Sequence, residues 1–182
     1  MKIIKTPIKD LLIIEPKVFE DRRGYFMEAF KNSFIRTNLP ELTFVQDNES
    51  KSKYGVLRGI HFQKPPYAQT KLVRVVEGKV LDVALDLRSK SPTYGKYFSI
   101  ILSGENKKQF LIPKGFGHGF VVLSKSAILS YKVDNEYHPE CDSGIRFDDK
   151  DLGIDWNLNH SEIAVSKKDF ELENFKNFSS PF

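Results

Sequence analysis

The segment Leu57-Arg58-Gly59-Ile60-His61-Phe62-Gln63 puts a titratable imidazole three residues from a guanidinium, and Lys71 opens the next extended run ten residues after His61. A base, an anion-binding cation and a second ammonium joined by one hairpin suit proton abstraction from an anionic, carbonyl-bearing substrate. If this hairpin lines an interior, Arg58 and Lys71 need an anion to offset their desolvation; on a solvent face both are ordinary surface charges. Strict alternation sets Arg58 and His61 on opposite faces of a strand. Gly59, between them, is the residue that could mark a bulge and re-aim one of the two.

Other candidates have plainer alternatives. Tyr131 lies mid-strand with Leu129 and Val133 on its face, the usual pattern of a core tyrosine, and Asp169 in Ser166-Lys167-Lys168-Asp169 reads by default as a helix-start or surface carboxylate. Pro113-Lys114-Gly115-Phe116-Gly117-His118 has the P-x-G-x-x-H form and resembles the second motif of the cupin jelly roll. The first cupin motif reads H-x-H followed by Glu, but Gln63 stands two residues after His61. Two imidazoles without the expected carboxylate make a poor site for iron or manganese, so no metal is expected.

The elements that must hold these groups are mostly strands. Val80 to Leu87 alternates, with Leu81, Val83, Leu85 and Leu87 on one face and Asp82, Ala84 and Asp86 on the other. Similar runs cover Gly55 to Phe62, Lys71 to Val76, Tyr97 to Leu102, Gln109 to Ile112, Gly119 to Leu123 and Ala127 to Val133, separated by turn signals such as Glu77-Gly78 and Ser103-Gly104-Glu105-Asn106. Only Phe26 to Thr37 and Lys167 to Phe178 look helical. Many short strands predict an all-β fold, an antiparallel jelly-roll barrel with short peripheral helices. Residues 1–182 read as one domain with an N-terminal strand arm and a C-terminal arm.

Composition narrows the partners. The 182 residues are 40% hydrophobic and 13% aromatic, enough for one sizeable core. The net charge of +4 comes from 28 basic and 24 acidic residues that are interspersed, which suits small anions and argues against nucleic acid. Cys141 is the only cysteine, so no disulfide framework forms within one chain and a reducing compartment is expected. The apolar run Leu11 to Ile14 is bracketed by Asp10 and Glu15, and no stretch is long enough for a membrane helix. A soluble, cytoplasmic protein without membrane partners is the expectation.

Taken in order, several segments resemble the dTDP-4-dehydrorhamnose 3,5-epimerase family over nearly the whole chain. They are Phe19-Glu20-Asp21-Arg22-Arg23-Gly24-Tyr25-Phe26, Val45-Gln46-Asp47-Asn48, Leu57 to Gln63, Lys71-Leu72-Val73-Arg74-Val75, Pro113 to Phe120, Tyr131-Lys132, Tyr137-His138-Pro139-Glu140 and Ser166 to Asp169. The resemblance implies that His61 is the base removing protons from carbons 3 and 5 of a 4-keto sugar, with Asp169 orienting its ring. It implies that Lys71 stabilises the enolate and that Tyr131 returns a proton from the opposite face.

For substrate binding the resemblance implies Arg23, Arg58 and Lys168 at the diphosphate and sugar, Glu28, Gln46, Asp47 and Asn48 at the nucleotide, and Tyr137 stacked on thymine. His118 and Asp142 would contact the substrate. It further implies no metal and no cofactor, a dTDP-sugar substrate, and a homodimer in which N-terminal strands complete the partner's site. Three alternatives stay open: an epimerase of one centre or keto-isomerase of a related nucleotide sugar, a metal-dependent cupin oxygenase, and a carbohydrate-binding jelly roll without catalysis.

Overall fold

The apolar alternation makes strands the dominant regular structure, and they pair into antiparallel sheets in a computed structural model describing residues 1–182. In chain order the elements are β1 (Lys2–Lys5), β2 (Leu12–Glu15), β3 (Val18–Asp21), β4 (Gly24–Met27), α1 (Asn32–Asn38), β5 (Gln46–Lys53), β6 (Leu57–Gln63) and β7 (Lys71–Glu77). There follow β8 (Lys79–Asp86), β9 (Tyr97–Ser103), β10 (Gln109–Ile112), β11 (Phe116–Val122), β12 (Ser126–Val133), β13 (Asp142–Gly144) and α2 (Lys167–Phe170). One sheet has the order β1-β2-β10-β7-β12-β5, the other β13-β6-β11-β8-β9, and β3–β4 forms a separate hairpin. This is the expected antiparallel all-β architecture. No helix is long and apolar enough to cross a membrane.

Three cores hold the layers together. Between the sheets, Val73, Phe110, Ile112 and Leu129 of one meet Val80, Ala84, Phe116 and Phe120 of the other. The outer face of the five-stranded sheet, Leu81, Val83 and Leu85, is covered by Ile145, Phe147, Trp156 and Phe178 of the C-terminal segment. On the outside of the six-stranded sheet, Ile35 of α1 and Leu42 cover Ile14, Leu72 and Leu111. The alternation of β8 therefore separates two cores rather than core from solvent, and Val80 to Asp86 is buried throughout.

Both helical expectations shrink. Phe26 pairs with Phe19 in the β3–β4 hairpin, whose turn is closed by Gly24 at φ 127°, and helix starts only at Asn32. Aromatic Tyr25 and Phe26 suit a strand, and Gly24 accepts the backbone angle that closes it. At the other end α2 is a single turn, because the chain leaves it to pair with β13's neighbour: Arg146 N–H donates to Glu173 O at 3.0 Å. A short 3₁₀ turn, Phe175–Asn177, follows. Strand β5 has no hydrophobic alternation to announce it, since its inward residues are Gln46, Asn48, Ser50 and Ser52.

A bulge in β6 solves the alternation problem. Across the β6–β11 ladder His61 pairs with His118 and Arg58 with Phe120, so three steps on β6 oppose two on β11. The extra residue brings Arg58 and His61 to the same side. Gly59 sits there at φ 126°, and a Cβ on it would lie 2.5 Å from Gly119 Cα and 2.7 Å from the His118 carbonyl oxygen. Backbone strain and collision together predict that Gly59→Ala destabilises the fold by about 1–3 kcal/mol. Thermal unfolding should show a drop of several degrees; melting like the parent would refute the tight approach.

Candidate active site

Seven candidate residues converge on one cavity of about 560 Å³: Arg58 and His61 from β6, Lys71 from β7, His118 from β11, Tyr131 from β12, and Lys168 and Asp169 from α2. Phe120 and Leu129 supply part of its apolar wall, and Ser50 also lines it. A larger cavity, about 680 Å³, lies between the β1–β2 turn and the end of α1 and contains none of the candidates. The chemistry therefore singles out the smaller cavity.

The pair at its centre is His61 and Asp169, with Nε2 2.7 Å from Oδ1. Asp169 is buried, and Ser166 caps the α2 turn by accepting the Asp169 N–H at 3.1 Å. Burial alone would raise the Asp169 carboxyl, but the His61 hydrogen bond and charge, with the Gly59 N–H and Ser166 hydroxyl, outweigh it and hold the group below the ordinary carboxylate range. An ionised carboxylate only accepts, so the pair holds a proton on Nε2, and in the neutral ring Nδ1 keeps the basic lone pair. A base with a defined tautomer results.

Burial shifts the proton affinity of two further groups. Burial pulls the Lys71 ammonium down to about 8, while the charges of Asp142 and Asp82 partly restore it. Lys71 keeps some accessible surface, which the cavity it lines explains. Its Nζ donates to the His61 carbonyl at 3.4 Å. Burial also raises the Tyr131 phenol, against the opposing charge of Arg58, so the hydroxyl stays protonated and can act as an acid. Behind the wall, His118 Nε2 lies 2.9 and 3.0 Å from the two oxygens of buried Asp82.

A connected polar chain leads from this centre to the surface. Lys168 Nζ donates to Asp142, which also accepts from the Tyr137 hydroxyl at 3.1 Å. The Tyr137 N–H donates to Gln46 Oε1 at 3.2 Å, Gln46 donates to Asn48 at 2.9 Å, and Asn48 stands opposite Tyr131 in the β5–β12 ladder. Arg58 is held by Ser52 Oγ, 3.2 Å from its Nε. Sequence reasoning missed Ser52 and Ser166 as supports; the Ser166-x-x-Asp169 spacing is the capping pattern that could have revealed the second.

Three expected ligands lie elsewhere. Asp47 points to the opposite face of β5 from Gln46 and Asn48 and accepts from Lys132 at 2.7 Å, because side chains alternate along a strand. None of Gln46, Asp47 and Asn48 lines the cavity itself; Gln46 and Asn48 belong to the polar chain beside it, and Asp47 does not. Arg23, 84% exposed, pairs with Asp21 at 2.6 Å, and Glu28 pairs with Lys31 at 2.8 Å. Neither reaches the cavity of its own chain, since the β3–β4 hairpin joins neither large sheet. Gln63 fastens loops instead: its amide donates to Tyr67 O at 2.7 Å and Glu136 O at 3.0 Å and accepts the His138 N–H at 2.6 Å.

The chain is similar to known proteins over nearly its whole length. The family model described as dTDP-4-dehydrorhamnose 3,5-epimerase matches residues 5–177. The chain is 52% identical over 169 residues to the dTDP-4-dehydrorhamnose 3,5-epimerase of Methanothermobacter thermautotrophicus, covering 92% of this chain and 91% of that one. The crystal structure of dTDP-4-dehydrorhamnose 3,5-epimerase from Elizabethkingia anophelis superimposes with a TM-score of 0.92 at 52% identity, covering 97% of each chain. A Legionella pneumophila epimerase in complex with dTDP-4-keto-L-rhamnose gives 0.93 at 47% identity, over 98% of this chain and 94% of that one. The chain belongs to the dTDP-4-dehydrorhamnose 3,5-epimerase family.

The buried ammonium has a measurable signature. Folded, Lys71 loses its proton near pH 8, and unfolded near 10.5. Between these values the unfolded chain binds more protons, so this residue makes stability rise with pH there. Lys71→Met is expected to be more stable than the parent at pH 7, with the gap closing as pH rises from about 8 toward 10.5. Denaturant melts across that range check it; a constant gap would rule out burial of charge as the cause.

Proposed function

We propose that this chain catalyses the conversion of dTDP-4-keto-6-deoxy-D-glucose to dTDP-4-keto-L-rhamnose by inverting carbons 3 and 5. The observation that carries the reading is the convergence of His61, Lys71 and Tyr131 on one cavity. The carbonyl at carbon 4 acidifies the hydrogens on both neighbouring carbons. His61 removes one through Nδ1, and Asp169 stabilises the imidazolium that forms. The electron pair of the broken C–H bond moves onto the carbon-4 oxygen, where the Lys71 ammonium meets the enolate charge.

Tyr131 then delivers its phenolic proton to the opposite face of the same carbon, and the configuration inverts. The imidazolium loses its proton to solvent and the phenolate takes one back, so the residues are reset with no net change in protons or electrons. The second carbon follows by the same steps. General acid and base groups supply about 10²- to 10⁴-fold and enolate stabilisation about 10²- to 10³-fold. The reaction is an isomerisation, and its electron balance calls for no redox cofactor.

Arg58 and Lys168 at the mouth suit a diphosphate, Arg58 through its fork of donors. In this reading Gln46, Asn48 and Tyr137 bind the nucleotide, and His118 and Asp142 contact the sugar. Arg23 and Glu28 act on the site of a second copy. The β3–β4 hairpin exposes Phe19 (50%), Tyr25 (52%) and Phe26 (66%), and a lone ribbon of two strands is marginal in water. A homodimer that docks each hairpin on its partner covers these rings and delivers both charged groups. In the same reading residues 1–182 form one domain around a shared core, and the single free Cys141 accords with a cytoplasmic location.

Turnover in deuterium oxide should place label on both carbons 3 and 5, read by NMR; label at one carbon would limit the enzyme to a single inversion. His61→Ala should lose activity by about 10³-fold or more while calorimetry still detects dTDP binding. Turnover surviving in that variant would remove His61 as the base. The dimer is tested by sedimentation: the parent should run as a dimer, and a Phe19→Ser/Phe26→Ser double variant as a monomer with weakened substrate binding. A parent that sediments as a monomer would exclude the shared site.

A further inference from the structure

Asp82 is fully buried, and the proton transfers above give it no task. Both of its oxygens lie on His118 Nε2, at 2.9 and 3.0 Å, and the ring makes no other hydrogen bond. His118 stands directly opposite His61 across the β6–β11 ladder and lines the same cavity. Asp82 lies one strand further in, on β8, opposite Phe120. The cavity thus carries two imidazole–carboxylate pairs, and the first accounts for the base.

An ionised carboxylate is an acceptor only, so the pairing places the proton on Nε2 and leaves Nδ1 of the neutral ring with a lone pair. A buried residue held from a central strand cannot swing to follow a moving partner. Resting on the epimerase reading, we propose that Asp82 is a positioning residue that fixes His118 in this tautomer, so that Nδ1 accepts a hydrogen bond from the hydroxyl on carbon 2 of the sugar. The sugar ring has hydroxyls on carbons 2 and 3 only, and carbon 3 is inverted. The carbon-2 hydroxyl alone keeps its configuration through both inversions. A rigid acceptor there serves substrate, enolates and product alike, which makes it a determinant of binding and specificity rather than of the proton-transfer rate.

Two measurements test this. In protein carrying ¹⁵N-histidine, with the His118 signals identified by their loss in His118→Gln, the native spectrum should show Nε2 protonated and Nδ1 bare. Kinetics with dTDP-4-keto-6-deoxy-D-glucose and its 2-deoxy analogue should show the native enzyme preferring the 2-hydroxy sugar by about tenfold in kcat/KM, one neutral hydrogen bond's worth. In Asp82→Asn, whose amide can donate to Nε2 and force the other tautomer, that preference should fall to within about twofold through KM, with kcat within about threefold. Equal turnover of both sugars by the native enzyme overturns the proposal. So does a proton on Nδ1 in the native spectrum, or a fall in kcat with KM unchanged in Asp82→Asn. If neither sugar is turned over, the epimerase reading fails, and the spectrum, which needs no substrate, still decides the tautomer.

Discussion

The hydrogen bond between His61 and Asp169 joins residues 108 positions apart, and the layers of the molecule are arranged so that it can form. Asp169 belongs to a segment that crosses the outside of the five-stranded sheet, anchored there by Phe147, Trp156 and Phe178. Trp156 is fixed by its indole N–H on the Phe147 carbonyl at 2.8 Å. These contacts return the chain to β6, where one capped turn presents the carboxylate. From the other side the Gly59 bulge rotates His61 to meet it, and the Gly59 N–H faces the second Asp169 oxygen at 3.5 Å. The apolar burial outside the sheet therefore decides the protonation chemistry inside it.

Charge balance sets what the cavity accepts. Lys71, Arg58 and Lys168 bring positive charge to it or its mouth, while Asp169 and Asp82 are each committed to an imidazole. Asp142 is shared between Lys168 and Tyr137. Arg58 has only a serine hydroxyl as its hydrogen-bond partner. A cation with so little neutralisation beside an apolar wall is a standing attraction for phosphate oxygens. The depressed Lys71 proton affinity belongs to the same balance, since an ammonium held near its neutralisation point responds strongly to charge developing on a nearby oxygen.

How much of this could be read from the residues follows from which forces leave a periodic trace. Strands β6 to β12 announce themselves because their inward or outward faces are apolar. Strand β5 does not, because its inward residues Gln46, Asn48, Ser50 and Ser52 are polar, and a polar inner face cancels the signal. Asp47 reads with its neighbours as one block, whereas the alternation of that hidden strand turns it away. The pairing of Arg58 with His61 on one side needed a bulge that alternation contradicts, and only Gly59 hinted at it. Arg23 and Glu28 find no place at the cavity of one chain, since the β3–β4 hairpin, which carries Arg23 in its turn and leads into Glu28, is hydrogen-bonded to neither large sheet.

The polar lining also explains where the stability resides. A barrel whose interior must admit a charged sugar nucleotide cannot fill itself with side chains, so the inner core around Phe110, Ile112, Val80 and Val122 shares the space between the sheets with the cavity, whose wall Phe120 and Leu129 also form. The missing burial is supplied outside, where the C-terminal segment and α1 each cover a face that would otherwise be wet. Each fully buried Leu, Val or Phe in those outer layers contributes about 1.5–3 kcal/mol. Strand β8 must then be apolar toward the outside and selectively polar toward the inside. That requirement fixes Leu81, Val83 and Leu85 on one face and leaves Asp82 on the other, close enough to hold a histidine of the cavity in place.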